Sequence, residues 1–381
     1  MLAENYHSAL VEQIKTDNFT FRSGRLTVHL AREFGFCYGV DRAVDYAYQT
    51  RERFPDRRVF LTGEIIHNPH VNEKLRAMGI EFIGHDEAAL DALGQDDVVI
   101  LPAFGVTVGT LQHLDKRGCT LIDTTCGSVL NVWKNVRHYA EGGYTSVIHG
   151  KVWHEETQAT ASQAVAYGGR YLVILDRQEA ARVCDVIRQS SAGIGNAGRE
   201  AFVEKFGRAA SPGFEPGRDL QRIGLANQTT MLMSESLEIG EMLKAAMLER
   251  YGPSEMESHF QAFDTICSAT QDRQDAVVAL LREQPVDLMI VIGGYNSSNT
   301  CNLARICAQS RPAFHIADPD CLVSALEIRH RPVGSKAEVP ATNWLPASGP
   351  VTIGLTSGAS TPDNLVGAVV AKLADFARLP V

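Results

Sequence analysis

Residues 287–300 read DLMIVIGGYNSSNT. The run from Leu288 to Ile292 is short, unbroken and apolar, the pattern of a strand buried on both faces. Two glycines stop it, and Asn296, Ser297, Ser298 and Asn299 then open a helix-period stretch predicted over 299–309. A doubly buried strand followed by a helix is the building unit of a parallel sheet with crossover helices. The same order recurs outward from this point in LTVHLA, RRVFLTG, DVVILPAFG, CTLID, TSVIHG, YLVILD, RIGLANQTT, AFHIAD and VTIGLTSGAS. Helices are predicted at 40–53, 69–78, 128–141, 155–165, 231–250, 271–283 and 362–378. The expected fold is α/β, with mostly parallel sheets in three pseudo-symmetric lobes. Residues 1–25 form an N-terminal extension with an amphipathic helix on Leu10, Val11 and Ile14. Lobe 1 takes 38–125, lobe 2 takes 126–262, and lobe 3 takes 263–381 plus the strand segment 26–37. The glycine-rich, charged section 190–219 reads as a surface insertion or an oligomer contact.

A chain of 381 residues with 45% hydrophobic and 21% charged residues has ample material for a core. Its net charge of −9 argues against a nucleic-acid or membrane-surface partner. No apolar run approaches the roughly 20 residues of a membrane span. The N-terminal stretch has no hydrophobic segment of the signal-peptide kind, so a cytoplasmic location with reduced cysteines is expected.

Three of the eight cysteines share a local grammar. Cys37 sits in EFGFCYGVDRAVDYAYQ, Cys126 in IDTTCGSVLNVWKNV and Cys267 in FDTICSATQDRQDAVVALL. Each closes a tight turn just before a helical pattern, where unpaired backbone N–H groups and the helix dipole favour a thiolate. Three such thiolates suit a Cys₃ zinc site or an iron–sulfur cluster; their wide spacing disfavours a zinc ribbon. Cys119, Cys184, Cys301, Cys307 and Cys321 fall in or beside strand and helix patterns and read mostly as small core residues.

Polar, small-residue clusters follow several predicted strands: GEIIHN, IHGKVWHEET, ANQTT, GGYNSSNT and TSGASTPD. Loops at the carboxyl ends of parallel strands build ligand sites. These supply hydroxyls, amides and imidazoles with few Lys or Arg, a set suited to an anion in a closed cavity. Capping alone explains Ser298 or Asn299, but the repeat of the arrangement at Ser360 and Thr361 favours anion binding, phosphate above all. Glu156 reads equally as a proton donor in a dry cavity or as a first-turn acid beside Glu155. His67 fits a loop at a strand end.

In this order, GFCYGVDRA, IIHNPHV, LPAFGV, DTTC, HGKVWHEET, NQTTML, TICSATQDRQDA, GGYNSSNT and TSGASTPD resemble the 4-hydroxy-3-methylbut-2-enyl diphosphate reductase family, also called LytB. The likeness runs from about residue 27 to the C-terminus, and HEET, ANQTTML and TSGASTPD look closest to the plant and cyanobacterial branch. The resemblance implies three lobes around a central [4Fe-4S] cluster held by Cys37, Cys126 and Cys267, with one iron open to substrate. It implies that His67, His154, Ser297, Ser298, Asn299 and Ser360 grip the diphosphate. Glu156 and Thr229 then serve the substrate's hydroxyl, with Glu156 as proton source. The implied reaction is the last step of non-mevalonate isoprenoid biosynthesis, a reductive loss of water that yields isopentenyl and dimethylallyl diphosphate. Ferredoxin or flavodoxin is the implied electron donor, and a homodimer is compatible. Two departures stand out: Phe104 replaces a histidine common in the family, and Gly127 replaces a proline after the second cysteine. Two other classes compete, a non-redox iron–sulfur lyase or synthase of the quinolinate-synthase type and a non-catalytic cluster sensor.

Overall fold

A computed structural model of the chain describes residues 5–84, 86–189, 195–263 and 265–378. Residues 1–4 of the N-terminal extension, His85, residues 190–194 of the expected insertion, Asp264 and residues 379–381 lie outside that description. The strand Leu288–Ile292 is buried along its whole length. It pairs in parallel with Val351–Ser357 on one side and Ala313–Ile316 on the other. Leu26–Leu30 adds in parallel to Val351–Ser357, so the first predicted strand does join the last segment of the chain. Thr20–Ser23 closes this edge antiparallel. One core cluster unites Val28, Leu30, Ile290, Ile292, Ile353 and Leu355 of the sheet with Val366, Val369, Val370 and Leu373 of the helix Asp363–Arg378. Val11 and Ile14 of the predicted amphipathic helix, Ala9–Thr16, enter the same cluster. Ser8 caps that helix, its side chain accepting from the Val11 N–H.

This sheet belongs to a compact unit of Met1–Gln49, Glu64–Gly79 and Ser268–Val381. A second unit takes Thr50–Gly63 and Ile80–Cys267 and holds two all-parallel sheets. One sheet orders Ile80–Phe82, Val59–Leu61, Val98–Leu101 and Thr120–Asp123. The other orders Phe260–Ala262, Ile223–Asn227, Thr145–His149 and Arg170–Ile174. Parallel pairing forces each connection back across the sheet, and helices make those crossings.

Sequence patterning missed the short strands Thr20–Ser23, Ile80–Phe82, Phe260–Ala262, Glu327–His330 and Val339–Thr342. Three or four residues carry too little periodicity to register, and Val339–Thr342 contains Pro340. It also missed the helices Val108–Arg117 and Arg177–Arg188, although Thr107 and Asp176 are ordinary N-caps. Residues 195–219 are more than a surface insertion. The helix Gly195–Phe206 buries Phe202 and Phe206 among Leu172, Val183, Cys184 and Ile187, which removes that apolar area from water. Among the described residues no helix is long and apolar enough to cross a membrane.

Candidate functional site

In the second unit the chemistry gathers behind the strands Thr145–His149 and Ile223–Asn227, which pair in parallel and so end side by side. His154 is the N-cap of the helix Glu155–Ala166, and its Nδ1 accepts from the Glu156 N–H at 3.2 Å. A ring nitrogen that accepts carries no proton, so in the neutral ring Nε2 is the N–H donor. His154 is 5% exposed, and the ring of Phe104 meets it edge-on at 5.4 Å. Phe104 thus places an apolar ring against that of His154.

Glu156 is buried, while its neighbour Glu155 is half-exposed. Thr229 donates to it twice, from the backbone N–H to Oε1 at 2.5 Å and from the hydroxyl to Oε2 at 3.0 Å. Gln228 secures this arrangement: its Oε1 accepts from Lys151 N at 3.0 Å and Thr157 Oγ1 at 3.2 Å, and its Nε2 donates to Thr230 Oγ1 at 2.9 Å. Sequence reading passed over Gln228, although it lies inside NQTTML; a buried amide flanked by polar residues was the available signal.

In the first unit the polar ends of Leu288–Ile292 and Val351–Ser357 come together, again because the strands are parallel neighbours. Ser297, not Ser298 or Asn299, caps the helix Ser298–Ala308, accepting from Thr300 N at 3.3 Å. The capping reading named Ser298 or Asn299, and the cap falls on their neighbour Ser297 instead. Asn299 does something else. Its Oδ1 accepts from Ala359 N at 3.0 Å, while its buried Nδ2 has no acceptor among the described residues. A buried donor left unsatisfied calls for a ligand. Ser360 Oγ donates to the His67 carbonyl at 3.3 Å, and His67 Nδ1 lies 2.8 Å from Glu64 Oε2. The turn at Gly294 passes so close to His67 that an added Cβ would sit 2.4 Å from that carbonyl oxygen. His70 packs in the helix Pro69–Ala77 with its ring edge-on to Tyr6 at 6.5 Å, and burial lowers its pKa.

Cys37 directly precedes the helix Tyr38–Arg53, Cys126 is the N-cap of Gly127–Glu141, and Cys267 directly precedes Ser268–Glu283. All three are reduced and half-buried. The Cys126 side chain makes no capping hydrogen bond, so the helix end does not consume its thiol. The other cysteines differ. Burial pushes Cys184 up to about 11 and Cys307 up to about 12, and raises Cys119 and Cys321. Cys301 accepts from Arg331 at 2.8 Å and donates to the Tyr295 carbonyl. Reduced, partly accessible thiols at helix starts fit soft iron–sulfur ligation; the buried Cys184, Cys307 and Cys321 do not, and Cys119 and Cys301, though half-buried, do not precede a helix.

Residues 28–374 match the profile of the LytB protein family. The chain belongs to that family. It is 49% identical over 379 residues to the 4-hydroxy-3-methylbut-2-enyl diphosphate reductase of Gloeobacter violaceus, covering 98% of this chain and 88% of the relative. The Parasynechococcus marenigrum reductase of the same name is 50% identical over 376 residues, 98% of this chain and 91% of that one. A solved (E)-4-hydroxy-3-methyl-but-2-enyl diphosphate reductase, the terminal enzyme of the non-mevalonate pathway, superposes with a TM-score of 0.55 at 25% identity, covering 91% of this chain and 99% of the other. The Plasmodium falciparum E-1-hydroxy-2-methyl-but-2-enyl-4-diphosphate reductase shares the fold at a TM-score of 0.63 and 22% identity, over 90% and 86% of the two chains. LytB membership accords with the cyanobacterial likeness of the motifs.

Proposed function

We propose that this LytB-family chain is a 4-hydroxy-3-methylbut-2-enyl diphosphate reductase, an oxidoreductase of the non-mevalonate isoprenoid pathway. The observation that carries the reading is Glu156, a 1% exposed carboxylate doubly bonded by Thr229 in a chain about half identical to relatives of that name. Each turnover breaks one allylic C–O bond, takes up two electrons and two protons, and releases water. The allylic product carries its new C–H bond at either end, giving isopentenyl or dimethylallyl diphosphate. Cys37, Cys126 and Cys267 would hold a [4Fe-4S] cluster, and we take each of the three larger, mostly parallel sheets as the core of one lobe. When bound, the cluster supplies a Lewis-acidic iron and low-potential electrons one at a time.

The chain's own residues do the rest. When Glu156 carries a proton on Oε2 the bond to Thr229 Oγ1 reverses: Oε2–H donates to Oγ1, the Thr229 hydroxyl turns its own proton to the leaving oxygen, and one proton is passed along the pair. His154 offers Nε2–H and Asn299 offers Nδ2–H to the diphosphate, with hydroxyls of Ser297, Ser298 and Ser360 and the ring of His67 completing the grip. These donors orient the anion and add little positive charge. Burial of Glu156 and His154 keeps bulk water from protonating the allylic intermediate indiscriminately. The relatives favour this reading over a lyase or a non-catalytic sensor. Ferredoxin or flavodoxin as donor, a cytoplasmic location and a homodimer complete it.

Anaerobic purification followed by iron and sulfide analysis tests the proposal, with roughly four of each expected per chain. Dithionite-driven conversion of the hydroxy-diphosphate to both products should accompany that cluster. A fully loaded protein that leaves the substrate untouched would overturn the reaction, and a protein without iron would overturn the cluster.

A further inference from the structure

Arg273 lies on the helix Ser268–Glu283, six residues beyond Cys267, and is 4% exposed. Among the described residues its guanidinium has only carbonyl partners. One terminal nitrogen donates to Ala269 O at 2.8 Å, within its own helix, and the other to Gly35 O at 2.7 Å. Its Nε is buried with no acceptor, and among the described residues no carboxylate pairs with it. Asp363, which lies against Gly35, is bound through Oδ2 to Lys15 at 3.0 Å. A buried cation with no counter-charge is costly, and proteins retain one where an anion answers it.

The carbonyl that Arg273 holds belongs to the loop of a proposed cluster ligand. Gly35 stands two residues before Cys37 at φ +78°, where a Cβ would meet Asp363 Oδ1 at 2.4 Å, so only glycine serves. Its N–H donates to Ser357 Oγ at 2.9 Å, and the Cys37 N–H donates to Ala359 O at 3.2 Å. Arg273 therefore pins the Cys37 loop from one side while the end of Val351–Ser357 pins it from the other. Three thiolates on a [4Fe-4S] core carry net negative charge, and reduction adds one more. A nearby fixed cation stabilises the reduced form over the oxidised form, the electrostatic lever that sets cluster potentials.

We propose that Arg273 is a positioning residue that holds the Cys37 loop and acts as the buried counter-cation of the iron–sulfur group, raising its reduction potential. The inference rests on the cluster reading above. Its test uses the full-length, anaerobically purified wild type beside Arg273→Lys and Arg273→Met. Three quantities are measured: iron per chain, midpoint potential by redox titration, and urea midpoints of the loaded and chelator-stripped proteins. Arg273→Met should shift the potential to a more negative value, and Arg273→Lys should stay closer to wild type. Arg273→Met should also lose stability mainly in the loaded form, because stripped protein contains the cation without its anion. An iron-replete Arg273→Met at the wild-type potential would overturn the proposal, as would equal destabilisation of loaded and stripped forms. Should Arg273→Met fail to retain iron, Arg273→Lys decides: retention supports the charge role and loss overturns it. A wild type without iron would instead sink the cluster reading, so the two failures are separable.

Discussion

Glu155 and Glu156 are identical in chemistry and adjacent in sequence, and only their surroundings separate them. Both suit the first turn of a helix, and the sequence leaves the proton-donor reading of Glu156 level with that one. Burial decides. Glu156 points inward, where Thr229 supplies an N–H to one oxygen and an O–H to the other. Glu156→Gln keeps an oxygen for the Thr229 N–H and offers its NH₂ to the Thr229 hydroxyl, which can turn to accept it, but the amide cannot deliver a proton at neutral pH. Under the proposed function, turnover should fall by about 10²- to 10⁴-fold, the range for a general acid, while substrate still binds. Single-turnover kinetics with pre-reduced protein reads this directly; a wild-type rate would remove Glu156 from the mechanism. Asn299 makes the same point from the other direction. Its sequence context suggested an anion or a cap; it lies in the first turn of Ser298–Ala308 without capping it, and its Nδ2 has no partner among the described residues.

At the scale of the element, the helix starts that carry Cys37, Cys126 and Cys267 were legible because turn residues and apolar periodicity change over at those points. Gly127 tests how well that logic holds. It is the first helical residue after Cys126, a position that favours proline because its N–H is unused by the helix. Cys126 already has φ −65° and ψ 140°, the extended conformation a following proline demands. A Cβ built on Gly127 meets nothing within 4 Å. Gly127→Pro should therefore stabilise the chain by about 0.4–1 kcal/mol through a more restricted unfolded state. Urea titration of the variant against the wild type checks it, and a lower midpoint would show that the ring strains the ligand turn. The helix Gly195–Phe206 marks the limit of such reading. Its glycine-rich, charged surroundings look like an insertion, yet two phenylalanines dock it into a core assembled from distant segments.

For the whole molecule, acid stability follows from a buried histidine. His315 is 3% exposed, with Nε2 2.9 Å from the Gly293 carbonyl at the start of the Ser297 loop. Burial is the main cause that lowers its pKa from 6.5 to about 4. Above pH 6.5 the ring is neutral folded or unfolded, and the contact costs nothing. As pH falls from 6.5 toward 4, only the unfolded chain takes up the proton, so stability drops through that window. At about 1.4 kcal/mol per pH unit the loss approaches roughly 3 kcal/mol. Urea midpoints measured between pH 7 and pH 4 should show this decline, and His315→Gln should flatten it; parallel curves would assign the acid sensitivity elsewhere. The chain by itself determined the α/β class, the parallel sheets and the positions of the three special cysteines, because these follow from local periodicity and turn chemistry. Tertiary structure alone decided which of two adjacent carboxylates is buried, which amide lacks a partner, and that Arg273 lies inside without a counter-charge. Burial and hydrogen-bond satisfaction depend on segments far apart in sequence, and no local pattern encodes them.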